Sequence, residues 1–397
     1  MQVLERSKAM AITPLFRLAF RPFFLAGCVL AVLVIPLWLA AFGGSISAWT
    51  PAGGWLGWHR HELLFGFGLA IIAGFLLTAV QTWSGRPGLS GKPLAVLALL
   101  WLGARLAWLC NVPWWLLVPL ELAFPLAVAV IMGRTLWAVR QRRNYPIVAV
   151  LLLLTGVDGL AVYGLLEGHE GWQRQGVLGG LWLVAAMMGL IGGRVIPFFT
   201  QRGLGRVHGV SAWPWLDGLL LAGSVLAALA YASGLALGVN TGVGLLFAVL
   251  AAGHLVRLLR WQDRALWRVP LLWSLHLAYG WLALACLVVA LGHFGVSLNP
   301  SLAVHCLTIG AMGGLVLAMI ARVSLGHTGR PLEPPSGMTL AFILLNLACF
   351  SRVVLVGFFP LPALWVAGLC WTLAFALYTW RYAPMLLQAR VDGHPGG

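Results

Sequence analysis

Charge is what this 397-residue chain has least of. Only 9% of its residues are Asp, Glu, Lys or Arg, and the acidic ones number 10 against 25 basic, while 61% are hydrophobic. Soluble domains carry roughly a quarter of their residues as charges, so a soluble globular protein is excluded. The alternating apolar and polar pattern of a membrane β-barrel is also missing. No stretch is long and polar enough to make a separate soluble domain, so residues 1–397 read as a single polytopic membrane domain. Cysteine is sparse and scattered: Cys28, Cys110, Cys286, Cys306, Cys349 and Cys370 form no CxxC or CxxCH. That argues against a covalently attached c-type haem, an iron–sulfur cluster or a thiol redox pair. Buried free cysteines of this kind act as small apolar fillers.

What the chain does have is apolar runs near the ~20 residues that an α-helix needs to cross ~30 Å of hydrocarbon. With barrels excluded, a bundle of transmembrane helices is the backbone solution that remains. Breaks at polar, Pro and Gly positions predict twelve spans, at about 18–42, 61–83, 93–110, 114–139, 146–166, 175–199, 213–232, 241–260, 269–291, 300–321, 338–357 and 361–382. The first run lacks a small-residue cleavage site and reads as a retained span.

The net charge of +15 raises nucleic acid as a partner, but the cations fall where topology wants them. Arg6, Lys8, Arg17 and Arg21 lie at the start of span one, Arg86 and Lys92 between spans two and three, and Arg140, Arg142 and Arg143 after span four. Arg202 and Arg206 follow span six, Arg260, Arg264 and Arg268 lie between spans eight and nine, and Arg330 and Arg390 follow spans ten and twelve. The opposite loops hold chiefly Arg60 and Arg174. Both termini are therefore expected on the cytoplasmic side, and no nucleic-acid role is expected.

Ionisable residues inside spans are costly and mark function. Six of the ten histidines qualify. His59 and His61 stand at the expected outer end of span two, and His305 lies a turn or two into span ten, in the same leaflet. His254 and His276 flank the short loop between spans eight and nine at matched distances, which predicts an inner pair, with His327 near it at the end of span ten. Neutral imidazole is a common ligand of haem iron and of copper. The spacing therefore points to metal at two depths, with haem b and copper as the candidates at either. Interhelical hydrogen bonding is the plainer alternative for any one of these side chains. Arg105, in the outer half of span three, either pairs with Glu121 or Glu62 or holds a haem propionate, for which the guanidinium fork is suited. Arg17, Arg21 and Arg322 are expected to serve the inner site in the same way. The carboxylates placed to move protons are Glu62, Glu121 and Asp158.

An internal echo links two of these spans. His61 precedes Gly85-Arg86-Pro87 by 24 residues, His305 precedes Gly329-Arg330-Pro331 by 24, and Gly66 and Gly310 each follow the His by five. A weaker copy without the His runs from Leu181 to Gly205-Arg206. Spans two, six and ten are four apart, which raises a pseudo-threefold arrangement of three four-helix units.

Four stretches, PLFRLAFRPFF at 14–24, WHRHELLFGF at 58–67, GFLLTA at 74–79 and RVSLGHTGR at 322–330, closely resemble the NnrS family. Leu63, Ile320 and Ala321 depart from that family's HEMLFGF and AMMTRVSLGHTGR patterns, which removes Met as a ligand there and leaves the histidines in place. The resemblance implies a multi-pass protein of the bacterial inner (cytoplasmic) membrane that contains haem and copper. It also implies an association with nitric oxide and with protection against nitrosative stress. A metal-dependent oxidoreductase that turns over nitric oxide is one form of this; binding of nitric oxide or another small diatomic ligand is another. The competing classes are a transporter or channel for a small solute or metal, and a haem protein that transfers electrons without catalysis. The electron donor is left open.

Overall fold

The structure, a computed structural model, describes residues 10–46 and 48–394. Arg6 and Lys8, counted above as topology signals, lie outside the described residues. Twelve helices are long and apolar enough to cross a membrane. They are α1 (Phe20–Phe42), α2 (Gly54–Ser84), α3 (Gly91–Leu109), α4 (Trp114–Ala138), α5 (Arg142–Leu166) and α6 (Glu170–Gly203). The rest are α7 (Pro214–Ala232), α8 (Thr241–Arg260), α9 (Pro270–His293), α10 (Pro300–His327), α11 (Met338–Gly357) and α12 (Pro360–Leu387). No strand occurs among the described residues. The apolar surface is what lipid requires: Val96, Leu99, Trp115 and Trp137 are exposed, an arrangement that water would penalise.

The predicted spans match these helices closely, and the largest difference is at the start of α2, seven residues earlier than expected. Gly53 and Gly54 both take left-handed backbone, with φ of 71°. Such a conformation suits glycine, and it turns the chain into a helix before the polar tetrapeptide His59-Arg60-His61-Glu62 instead of within it, at His61. The end of α10, at His327, lies six residues beyond the predicted 321.

The chain divides into two compact units. Unit one comprises Met1–Gly168, Ile320–Pro335 and Phe375–Gly397; unit two comprises His169–Met319 and Ser336–Ala374. In unit one α2 packs on α1 and α4, and α4 also packs on α3 and α5. In unit two α6 packs on α7, α7 on α8, α8 on α9, and α10 lies between α9 and α11.

The sequence echo has a backbone counterpart. His61 and His305 each close an α-helical segment that continues as a wide π-helical stretch, Glu62–Gly68 in α2 and Cys306–Gly313 in α10. A π stretch inserts residues into the helix and is often associated with a functional site. Gly85 and Gly329, the glycines 24 residues on, both have positive φ, 67° and 76°. In the weaker copy Gly205 shares that feature, with φ of 61°, but α6 is a regular α-helix throughout.

Candidate functional site

The early start of α2 sets the depth of His61. Seven residues into the helix, it lies ~10 Å from the helix start at ~1.5 Å per residue. Glu121 is likewise seven residues into α4, and Asp158 is eight before the end of α5. These three side chains therefore reach one level in unit one, and all three are buried.

Around His61 the cluster is dense. Its Nδ1 lies 3.3 Å from Glu62 Oε1, and its Nε2 lies 3.0 Å from Asp158 Oδ1 and 3.8 Å from Glu121 Oε1. Arg105 donates through Nη1 to Glu62 Oε1 at 2.9 Å and through Nη2 to Glu121 Oε2. Trp108 Nε1 also donates to Glu121 Oε2, at 2.8 Å, while its ring stacks on the His61 imidazole at 4.0 Å. Gly66 makes this possible, since a Cβ there would stand 2.5 Å from Arg105 Nη1. One turn towards the helix ends lie Trp58, Trp108, Leu117 and Val162, members of a buried apolar cluster. They sit three or four residues from His61, Arg105, Glu121 and Asp158, on the same helix faces, and form an apolar layer over the polar one.

Two expectations change here. His59 and His61 share a regular helix that begins at Gly54, so their side chains point ~200° apart and cannot meet on one metal. His59 stacks instead on Trp38, at 4.5 Å. His61 is a poor haem ligand as arranged, because both ring nitrogens face carboxylates and one ring face is covered by Trp108. Arg105 adopts the pairing alternative: each of its terminal nitrogens donates to a carboxylate, Nη1 to Glu62 and Nη2 to Glu121.

Arg17 and Arg21 of unit one serve the segments near the chain ends. Arg17 donates to the carbonyls of Met10 and Ile12, and Arg21 Nη1 donates to those of Leu386 and Gln388, capping the end of α12. Arg322 is buried in the same unit. His327 belongs there too, its ring 5.5 Å from that of Phe20, whereas His254 and His276 are in unit two.

Unit two brings His254 and His276 onto neighbouring antiparallel helices, both buried. His276 Nδ1 donates to Leu272 O at 3.0 Å, one turn back, which fixes the ring and leaves Nε2 as the lone-pair nitrogen. His254 Nδ1 lies 2.8 Å from the Tyr279 hydroxyl, which also accepts from Arg257 Nη1 at 2.9 Å. Both Nε2 atoms are buried without a hydrogen-bond partner. Arg257, one turn beyond His254, also donates to Gly189 O at 2.8 Å and pairs with Asp217. The glycines of Gly189-Leu190-Ile191-Gly192-Gly193 accommodate this network: a Cβ at Gly189 would meet His254, at Gly192 Tyr279, and at Gly193 Arg257 at 2.9 Å. Sequence reading assigned Arg257 no role in a site and overlooked Tyr279. Their spacing of three from His254 and from His276, on the same helix faces, was the available signal.

His305 is half-buried in unit two. Its Nδ1 donates to Ser301 O at 2.7 Å and lies 3.1 Å from Ser301 Oγ, which accepts from Arg352 Nη2 at 3.0 Å. It and His61 thus belong to different units.

Comparison with known families gives one match of near full length: residues 14–390 fit the family described as NnrS protein. No curated protein matches the chain.

Proposed function

The chain belongs to the NnrS family, and we propose that it is a multi-pass protein of the bacterial inner membrane, with both termini cytoplasmic, that holds haem b and copper. In this reading it interacts with nitric oxide or a similar small diatomic ligand and contributes to tolerance of nitrosative stress. The observation that supports it is the pair of orphaned nitrogens in unit two. His254 and His276 each have Nδ1 engaged and Nε2 buried outside hydrogen-bonding geometry, with the Trp261 backbone also acting on the His276 ring. A buried polar atom without a partner costs about 1–3 kcal/mol, and iron ligation removes that penalty. Haem, when bound, supplies an iron centre at which a diatomic molecule coordinates.

The chain's own residues then have definite tasks. Leu272 O orients His276 so that the lone pair is on Nε2. Tyr279, held by Arg257, orients His254 and supplies a hydroxyl beside it. Arg257, buried and paired with Asp217, places its guanidinium on the Tyr279 hydroxyl beside His254. His305, whose Nδ1 is tied to Ser301, would offer Nε2 as one ligand for copper.

The test is spectroscopic. Detergent-purified protein is expected to show a Soret band and to contain iron and copper by elemental analysis, and the reduced protein is expected to shift that band on stopped-flow mixing with nitric oxide. A preparation with neither Soret band nor metal refutes the reading. Assay of the same mixture for nitrous oxide separates turnover from binding.

A further inference from the structure

We propose that His61, Glu121 and Asp158 in unit one form a binding site for a hard divalent cation of the Mn(II) or Fe(II) class, separate from any haem. One nitrogen and two carboxylate oxygens of these residues lie within 4.8 Å of one another, all buried. The orientation of each donor is fixed from outside the set. Glu62 sits at His61 Nδ1, the arrangement in which a carboxylate holds a metal-ligating histidine by its far nitrogen. Arg105 and Trp108 both take Glu121 Oε2, which leaves Glu121 Oε1 on the His61 side.

With Nδ1–H given to Glu62, Nε2 faces two carboxylate oxygens at 3.0 and 3.8 Å, a contact that is favourable when Nε2 carries a proton and donates to Asp158, or when a cation lies between them. Charge counting favours the cation. Glu62, Glu121 and Asp158 bring three negative charges and Arg105 one positive, so with neutral imidazole two negative charges are uncompensated. Protonation of His61 cancels one of them; a divalent cation cancels both. Uncompensated charge in a membrane interior is far more expensive than a lost hydrogen bond. Asp158 Oδ2 and Glu62 Oε2 are also buried without hydrogen-bond partners, so the carboxylates retain unused acceptor capacity. The donor set contains no sulfur and is oxygen-rich, which suits Mn(II) and Fe(II) better than Cu(I).

The proposal stands apart from the haem reading, and one set of samples tests both. The full chain, expressed in medium supplemented with manganese(II), purified in detergent and desalted, is expected to retain one manganese per chain. The electron paramagnetic resonance spectrum is expected to be that of an immobilised ion. Asp158→Asn and Glu121→Gln, which keep side-chain shape, are expected to retain at least ~10-fold less, with the Soret band unchanged from wild type. Wild-type protein that retains no manganese overturns the proposal whatever the variants do, and it shows that the cluster is balanced by protons. Equal retention by wild type, Asp158→Asn and Glu121→Gln overturns it as well.

Discussion

His61 and His305 stand at the same point of a repeated backbone design, yet their surroundings differ in kind. Each ends an α-helical segment, precedes a π-helical stretch, and is followed five residues later by a glycine that a side chain presses against. At Gly66 that side chain is Arg105; at Gly310 it is Trp281, whose Cγ would lie 2.5 Å from an added Cβ. His61 meets three carboxylates, directly or through Arg105, whereas the groups at His305 are Ser301 and Arg352, with no carboxylate among their hydrogen bonds. The backbone thus fixes where an imidazole is presented, and the neighbouring helices decide its chemistry. Glu121 and Asp158 come from α4 and α5, outside the repeated segment.

Arginine replacement breaks the comparison most sharply. Arg105→Leu leaves buried carboxylates unpaired and is expected to cost about 3–5 kcal/mol. Arg352→Leu removes one hydrogen bond to a hydroxyl, at about 1–2 kcal/mol. Thermal unfolding of the two variants in one detergent checks the order; equal losses would mean that the two histidine environments are energetically alike. Gly66→Ala and Gly310→Ala come next, each at about 1–3 kcal/mol for overpacking. Their routes differ. Gly66→Ala acts by displacing Arg105 from Glu62 and is expected to lose much of its cost in an Arg105→Leu background, while Gly310→Ala retains its full cost there. The smallest effect is that of Trp101→Phe, which removes the 3.0 Å bond from Trp101 Nε1 to the Gly66 carbonyl in the π stretch. About 1 kcal/mol is expected, read as a lower unfolding midpoint.

Most of the fold was legible in the sequence because membrane spans are declared by composition and length. Runs such as 114–139 and 241–260 needed no tertiary information to be placed within a residue or so of α4 and α8. The start of α2 was not legible by the same rule. Its first eight residues, GWLGWHRH, have low mean hydropathy, and the partners that make them tolerable come from α3, α4 and α5. That one boundary hid the cluster, since a His61 at the helix end has no reason to meet Asp158 eight residues inside α5. The carboxylates themselves were visible as rare intramembrane charges, and the option that Arg105 pairs with Glu62 or Glu121 was visible with them. The His254 and His276 placement was readable from the short loop between two helices, while Tyr279 was marked only by its spacing of three from His276, a faint signal inside an apolar span.

The central claim is that the two units hold their histidines for different ligands, with His254 and His276 directed at haem and His61 at a carboxylate-bound cation. Absorption spectra of His254→Ala, His276→Ala and His61→Gln, purified alongside wild type, test it most directly. Loss or displacement of the Soret band in the first two, with an unchanged band in His61→Gln, is the predicted result. A Soret band lost in His61→Gln and intact in both His254→Ala and His276→Ala would contradict it.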